Sequence, residues 1–150
     1  YHRLFPYLLR KWPEAHFHIY GSGSYVEQLG HYSNTTLHGH VSVEHAFSET
    51  DVHVLIVEST GSWGRVINEA GLFSIPTVSC SIGSQPEAVG KGGIVLQDHH
   101  DLQSFEQALR DCWSDRHHLG RLANQHSGVT DHRRSIAIFR SLLEDIVSET

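Results

Sequence analysis

The sequence predicts an α/β fold, a parallel sheet covered by helices on both faces. Three observations carry that expectation. Short apolar runs alternate with segments of helical spacing five times along the chain. Each link between successive runs holds a helical segment where a hairpin turn would otherwise sit, so neighbouring strands must be joined by crossovers. The runs themselves, Val52-His-Val-Leu-Ile-Val57 above all, are apolar on both faces, as strands buried between two helix layers are.

The elements follow in order. Leu4, Tyr7, Leu8 and Trp12 have helical spacing, ended by Pro13, with Pro6 marking either the helix start or a first turn whose earlier part is missing. His16 to Tyr20 reads as a strand, followed by the turn Gly21-Ser-Gly-Ser24 and a short helix from Tyr25 to Leu29. Thr35 to His38 is a second strand, closed by Gly39, and Val43 to Phe47 a short helix. Val52 to Val57 is expected as a central strand, and about Gly64 to Phe73 as the helix behind it. Thr77 to Cys80 and Gly93 to Leu96 are the last two strands, with a helical turn begun by Pro86 between them. Leu102 to Trp113 is an amphipathic helix with Asp101 as its N-cap. Further helices are expected from about His117 to Gln125 and from about Arg133 to Ile146.

A length of 150 residues suits one domain with a real core, and nothing marks an internal boundary. The formal net charge of -6, without any lysine- or arginine-rich run, argues against nucleic acid as the main ligand. No apolar run approaches the roughly 18 residues of a membrane span. Cys80 and Cys112 fit no disulfide framework or metal spacing, and a buried thiol at the end of a strand favours a cytoplasmic location. Fourteen histidines invite a metal reading, with His16/His18 and His38/His40 as H-x-H pairs. No cysteine or carboxylate completes a ligand set, so no metal site is expected. The chain starts at Tyr1 and has no methionine, which points to a piece of a longer protein that begins inside a helix.

The stretch from Glu58 to Gly93 holds the candidate site. Thr60-Gly61-Ser62 precedes a helix that starts near Trp63 or Gly64, where small residues let the main chain approach a ligand and free N–H groups face an anion. Glu69 lies one turn in, on the face of Arg65, placed to reach neutral hydroxyls such as those of a ribose. The loop from Ser81 to Pro86 leaves the next strand at the same end of a parallel sheet. Two such loops form a nucleotide crevice. Each residue also has a plainer reading: Glu69 as a solvated helix residue or the partner of Arg65, Gly83 as a turn former, Glu87 as a helix-start acid.

The run WGRVINEAGLFSIPTVSCSIGSQPEAVGKGG resembles the nucleotide-sugar-binding half of family-4 glycosyltransferases, which have the two-domain GT-B fold. LLRKWPEAHFHIYGSGS, Leu37-His-Gly39 and Thr50-Asp51-Val52-His53-Val54 extend the likeness over almost the whole chain. The resemblance implies a Rossmann-like C-terminal donor domain of a retaining enzyme that moves a sugar from a UDP- or GDP-linked donor, with no further cofactor, in polysaccharide or glycolipid synthesis. It implies that Glu69 holds the ribose and that Gly64, Arg65 and Val66 approach the diphosphate and sugar. It places His40 and Val41 at the base and Gly21 and Gly23 in a glycine loop beside the cleft. It also implies an N-terminal acceptor domain outside these residues, an inactive isolated fragment, and a cytoplasmic enzyme at the inner face of a membrane.

The chain departs from the family in two respects. Gly61 stands where the family has an acid against the donor sugar, which leaves Glu58 as the candidate for that contact and a non-catalytic nucleotide-sugar-binding module as the alternative. The family's basic diphosphate-binding residues would lie ahead of Tyr1. A flavodoxin-like regulatory domain shares the alternation but wants an acidic cluster at the strand ends, which Asp51 alone does not supply.

Overall fold

A computed structural model describes residues 3–49, 52–57, 64–98 and 100–129, with 136–138, 140, 141 and 144 beyond them. Glu58 and Gly61 lie outside the described residues. The elements run α1 (Leu4–Lys11), β1 (Phe17–Tyr20), α2 (Val26–Leu29), β2 (Thr35–Gly39), a π-helical turn (His45–Glu49), β3 (Leu55–Val57), α3 (Arg65–Leu72), β4 (Thr77–Cys80), α4 (Gln85–Val89), β5 (Gly93–Leu96), α5 (Leu102–Ser114) and α6 (Arg116–Val129). Pro6 sits in the first turn of α1, where a missing N–H costs nothing. Asp101 caps α5 as expected, its carboxylate accepting from the amides of Gln103 and Ser104. Residues 136–138, 140, 141 and 144 are helical, within the span expected for the last helix.

Every strand pairing is parallel, as the crossovers require. Two expectations need correction. The described strands form two sheets, β1–β2 and β3–β4–β5, rather than one. Val52 to Val54 are not in a strand, and β3 is an edge that pairs with β4 alone among the described residues; β4 takes the central place. The physical reason is a groove between β1 and β3, which separates the sheets and leaves residues 52–56 half-buried.

Helices cover both faces of the larger sheet. On one face Leu4 and Leu8 of α1 meet Phe105, Ala108, Leu109 and Cys112 of α5 over Val78 and Cys80. On the other, Ile67 of α3 and Ala88 and Val89 of α4 pack on Val57. The strands divide between the faces with period two: Ile56, Ile94 and Leu96 join the first cluster, Leu55 and Val95 the second. All four residues of β4 are therefore buried. Helix α3 is held down further by α6: a Cβ on Gly71 would lie 2.0 Å from Ser127 Oγ, and Asn124 Nδ2 donates to the carbonyl of Leu72 at 2.8 Å.

Candidate functional site at the ends of the strands

Parallel pairing sends the segments after β3 and β4 out of the same end of their sheet, with Val57 opposite Ser79. Beyond Val57 the described chain resumes at Gly64, which precedes α3 without any side-chain cap. No acid lies in the first turn. The amides of Arg65 and Val66 meet no acceptor among the described residues, as expected for the first positions of a helix. Those donors and the helix dipole favour an anion.

Glu69 lies one turn inside α3 and is half-buried. Among the described residues its carboxylate has no hydrogen bond and no ion pair. The surface pair with Arg65 does not form among the described residues: Arg65 is exposed, and an ion pair between described residues lies instead on α5, between Arg110 and Glu106. Such a pair, with the cation first along the helix, would add only a few tenths of a kcal/mol.

The smaller sheet contributes a second pair of loops. Gly21 follows β1 with φ 104°, and Gly23 has φ 155°; both are backbone states that a Cβ disfavours. The Gly21 amide donates to the Gly39 carbonyl at 2.7 Å, tying this loop to the one after β2. Ser22 Oγ and His40 Nε2 are 3.1 Å apart, so His40 sits on the Gly21–Gly23 turn. Val41, next along, is 37% exposed and lines the groove between the sheets together with Val66, which is 38% exposed. The groove, of about 490 Å³, thus brings the β2 loop to the start of α3. Val41 and Val66 both line it; Glu69 and Arg65 are placed through α3, and Gly21, Gly23 and His40 through the turn beside Val41.

The Ser81–Pro86 loop needs no ligand to explain Gly83, whose φ of 57° serves the turn itself. Reading the sequence missed three polar residues near these loops. Asn68 Oδ1 and Ser79 Oγ are buried with no hydrogen-bond partner among the described residues, and Gln85 at the start of α4 is fully buried. A polar residue inside a buried strand, as Thr77 also is, was the available signal for Ser79; a glutamine opening a helix ordinarily reads as solvated. The H-x-H pairs are joined across β1 and β2, with His18 Nδ1 2.8 Å from His38 Nε2 and Tyr20 stacked on His38 at 4.6 Å. No group of three or more metal-ligating side chains gathers among the described residues. No helix there is long and apolar enough to cross a membrane.

A parallel α/β unit with glycine-bearing loops and an open helix start at the strand ends defines the class of nucleotide-binding folds. The family model of the group 1 glycosyl transferases matches residues 2–115, and the chain belongs to that family. Its fold, Rossmann-like with helices on both sides, is that of glycosyltransferases of known structure. The pneumococcal O-GlcNAc transferase GtfA in complex with UDP and GlcNAc aligns with a TM-score of 0.74 at 15% identity, over 96% of this chain and 32% of that one. The GtfA/B complex gives 0.78 at 18% identity, over 95% and 32%. Anabaena Alr3699/HepE in complex with UDP gives 0.70 at 19%, over 99% and 45%. This chain therefore spans between about a third and a half of the length of those proteins. No curated protein matches it.

Proposed function

We propose that these residues form the donor-binding domain of a retaining glycosyltransferase, which holds a UDP- or GDP-linked sugar while a second, N-terminal domain presents the acceptor. The observation that carries the reading is the start of α3: open amides at Arg65 and Val66, and one turn inward a half-buried carboxylate, Glu69, with no protein partner among the described residues. Diphosphate oxygens fit the amides and a ribose fits the carboxylate, in that order along one helix. The base falls toward His40 and Val41, beside the Gly21–Gly23 turn. Glycosyltransferase family membership and the UDP held by two of the structural neighbours support the same ligand class.

Transfer needs the nucleophile and donor held together and the leaving diphosphate stabilised, and both demand a second wall to the cleft. The 150-residue chain alone is therefore inactive, and the full-length enzyme is cytoplasmic, at the inner face of a membrane. Polysaccharide or glycolipid synthesis is the setting that fits such an enzyme.

Calorimetry on the full-length protein with UDP and GDP tests the site. Hydrogen bonds to a charged group contribute roughly 1.5–3 kcal/mol, so Glu69→Ala is expected to weaken the better nucleotide at least about tenfold. Alanine suits a helix interior, so the fold survives the change. A 2′,3′-dideoxy analogue is expected to bind the unaltered protein more weakly and to lose little more on Glu69→Ala. Losses that add, instead of overlapping, would place the ribose elsewhere.

A further inference from the structure

Helix α3 starts at Gly64 without a side-chain cap, and α4 starts at Ser84 without one. An uncapped start weakens a helix, and the eight residues of α3 are too few to hold it by propensity alone. Both helices are instead fastened near their other ends, by two side chains of α6. Asn124 Nδ2 donates to the carbonyls of Leu72 at 2.8 Å and Gly71 at 3.3 Å, the last two of α3. His126 Nε2 donates to the Glu87 carbonyl of α4 at 2.7 Å, and that acceptor requires the ring proton on Nε2. Carbonyls in the last turn of a helix lack an intrahelical donor, and these bonds supply one.

Close backbone contact keeps α6 in register with the parts it holds. A Cβ added at Gly92, just before β5, would lie 2.3 Å from Ala123 Cα, and one at Gly120 would lie 2.1 Å from the Ser74 carbonyl oxygen. There is no room for α6 to slide past α3 and the turn after α4. The two hydrogen bonds then act on opposite ends of α3. Asn124 holds its tail directly. His126 holds α4, whose Ala88 and Val89 pack with Ile67 in the first turn of α3. A rod about 12 Å long that tips at Leu72 carries the amides of Arg65 and Val66 with it.

We infer that Asn124 and His126 are positioning residues for the nucleotide donor, a role that rests on the nucleotide reading of α3. Through them α6 sets where the Arg65 and Val66 amides and the Glu69 carboxylate stand, from outside the shell of groups that meet the ligand. The division of labour is physical. The start of α3 stays open for a diphosphate, because the helix is stabilised at its far end, where no ligand competes for the carbonyls.

Calorimetry with UDP and GDP on the full-length protein, beside urea unfolding of the same variants, tests this. Asn124→Leu and His126→Phe nearly keep the side-chain volume and remove the N–H donor. Each is expected to weaken the better nucleotide roughly fivefold. His126→Gln, which restores an N–H donor, is expected to bind within about twofold of the unaltered protein. A merely structural pair would lower the urea midpoint and leave the affinity of the folded protein unchanged, and that result would overturn the inference. Equal weakening by His126→Phe and His126→Gln would overturn it too. If Asn124→Leu does not fold, the two His126 variants decide the matter. An unaltered protein that binds neither nucleotide would sink the nucleotide reading and this role with it, whereas binding that the variants leave unchanged sinks this role alone.

Discussion

The two sheets share one pairing mode and differ in almost everything else. In the larger, β4 is buried along its whole length, between α1 and α5 on one face and α3 and α4 on the other. In the smaller, all four residues of β1 are half-buried, and its polar face is a row of imidazole and phenol rings: His16 against His18 at 4.9 Å, His18 against His38, and Tyr20 stacked on His38. Hydrophobic burial scales with the apolar area removed from water. Stability therefore resides around β4, while the β1–β2 sheet is left to position loops.

The largest contrast should show in cysteine chemistry. Burial, helped by Asp115, pushes the Cys112 thiol up to about 12. At pH 8 only about one molecule in ten thousand would carry the reactive thiolate. Alkylation of Cys112 by iodoacetamide in the native protein is expected to run more than about a thousandfold slower than that of a free cysteine. Ready labelling of Cys112 would mean that the α5 face of the larger sheet is open.

Core truncation gives the next effect. Phe105 is fully buried between α5 and the sheet. Phe105→Ala is expected to cost about 3–5 kcal/mol in denaturant unfolding, through lost transfer energy and the cavity left behind. On the smaller sheet, His38→Ala removes a half-buried ring with one hydrogen bond to His18 and a stack on Tyr20, and should cost about 1 kcal/mol. Equal losses from the two changes would break the comparison.

That asymmetry also explains what could be read from the sequence. Apolar runs flanked by helical spacing gave the parallel α/β class and the order of elements, because strands packed under helices keep mostly apolar runs, as at Thr77–Cys80 and Val54–Val57. Asp101 as a cap was legible because capping is local chemistry. The division into two sheets was not, since which strand edges meet is a long-range property and Val52–Val57 reads the same at an edge as in the centre. The start of α3 after Gly64, with Glu69 one turn inside it, was legible from one run of residues. Asn68, Ser79 and Gln85 were not, because burial of a lone polar side chain is decided by neighbours distant in sequence. The plainer alternative, a surface pair of Arg65 with Glu69, was a fair local reading that the fold does not use among the described residues.

The smallest effect concerns the outer surface of the α1–α5 pair, which fastens the larger sheet's cover without burying charge. The Tyr7 hydroxyl donates to Glu106 Oε2 at 2.8 Å, and Arg110 donates through Nε and Nη2 to Oε1 at 3.1 and 3.0 Å. The Tyr7 hydrogen bond, and after it those from Arg110, hold the Glu106 carboxyl below its ordinary value of 4.5. A carboxylate depressed in the folded state adds stability above its unfolded pKa, and that stability is lost as pH falls through the folded value. The pair lies at the surface, with Arg110 exposed and Glu106 half-buried, so solvent screening keeps the contribution small. Urea midpoints for the unaltered protein and Glu106→Gln are therefore expected to differ slightly at pH 7, with the unaltered protein higher, and to converge below the ordinary carboxylate range. A gap that persists unchanged at pH 3 would mean that Glu106 acts through packing against α1 and not through its charge. A gap as large as that of Phe105→Ala would place stability on the surface of the α1–α5 pair and not beneath it.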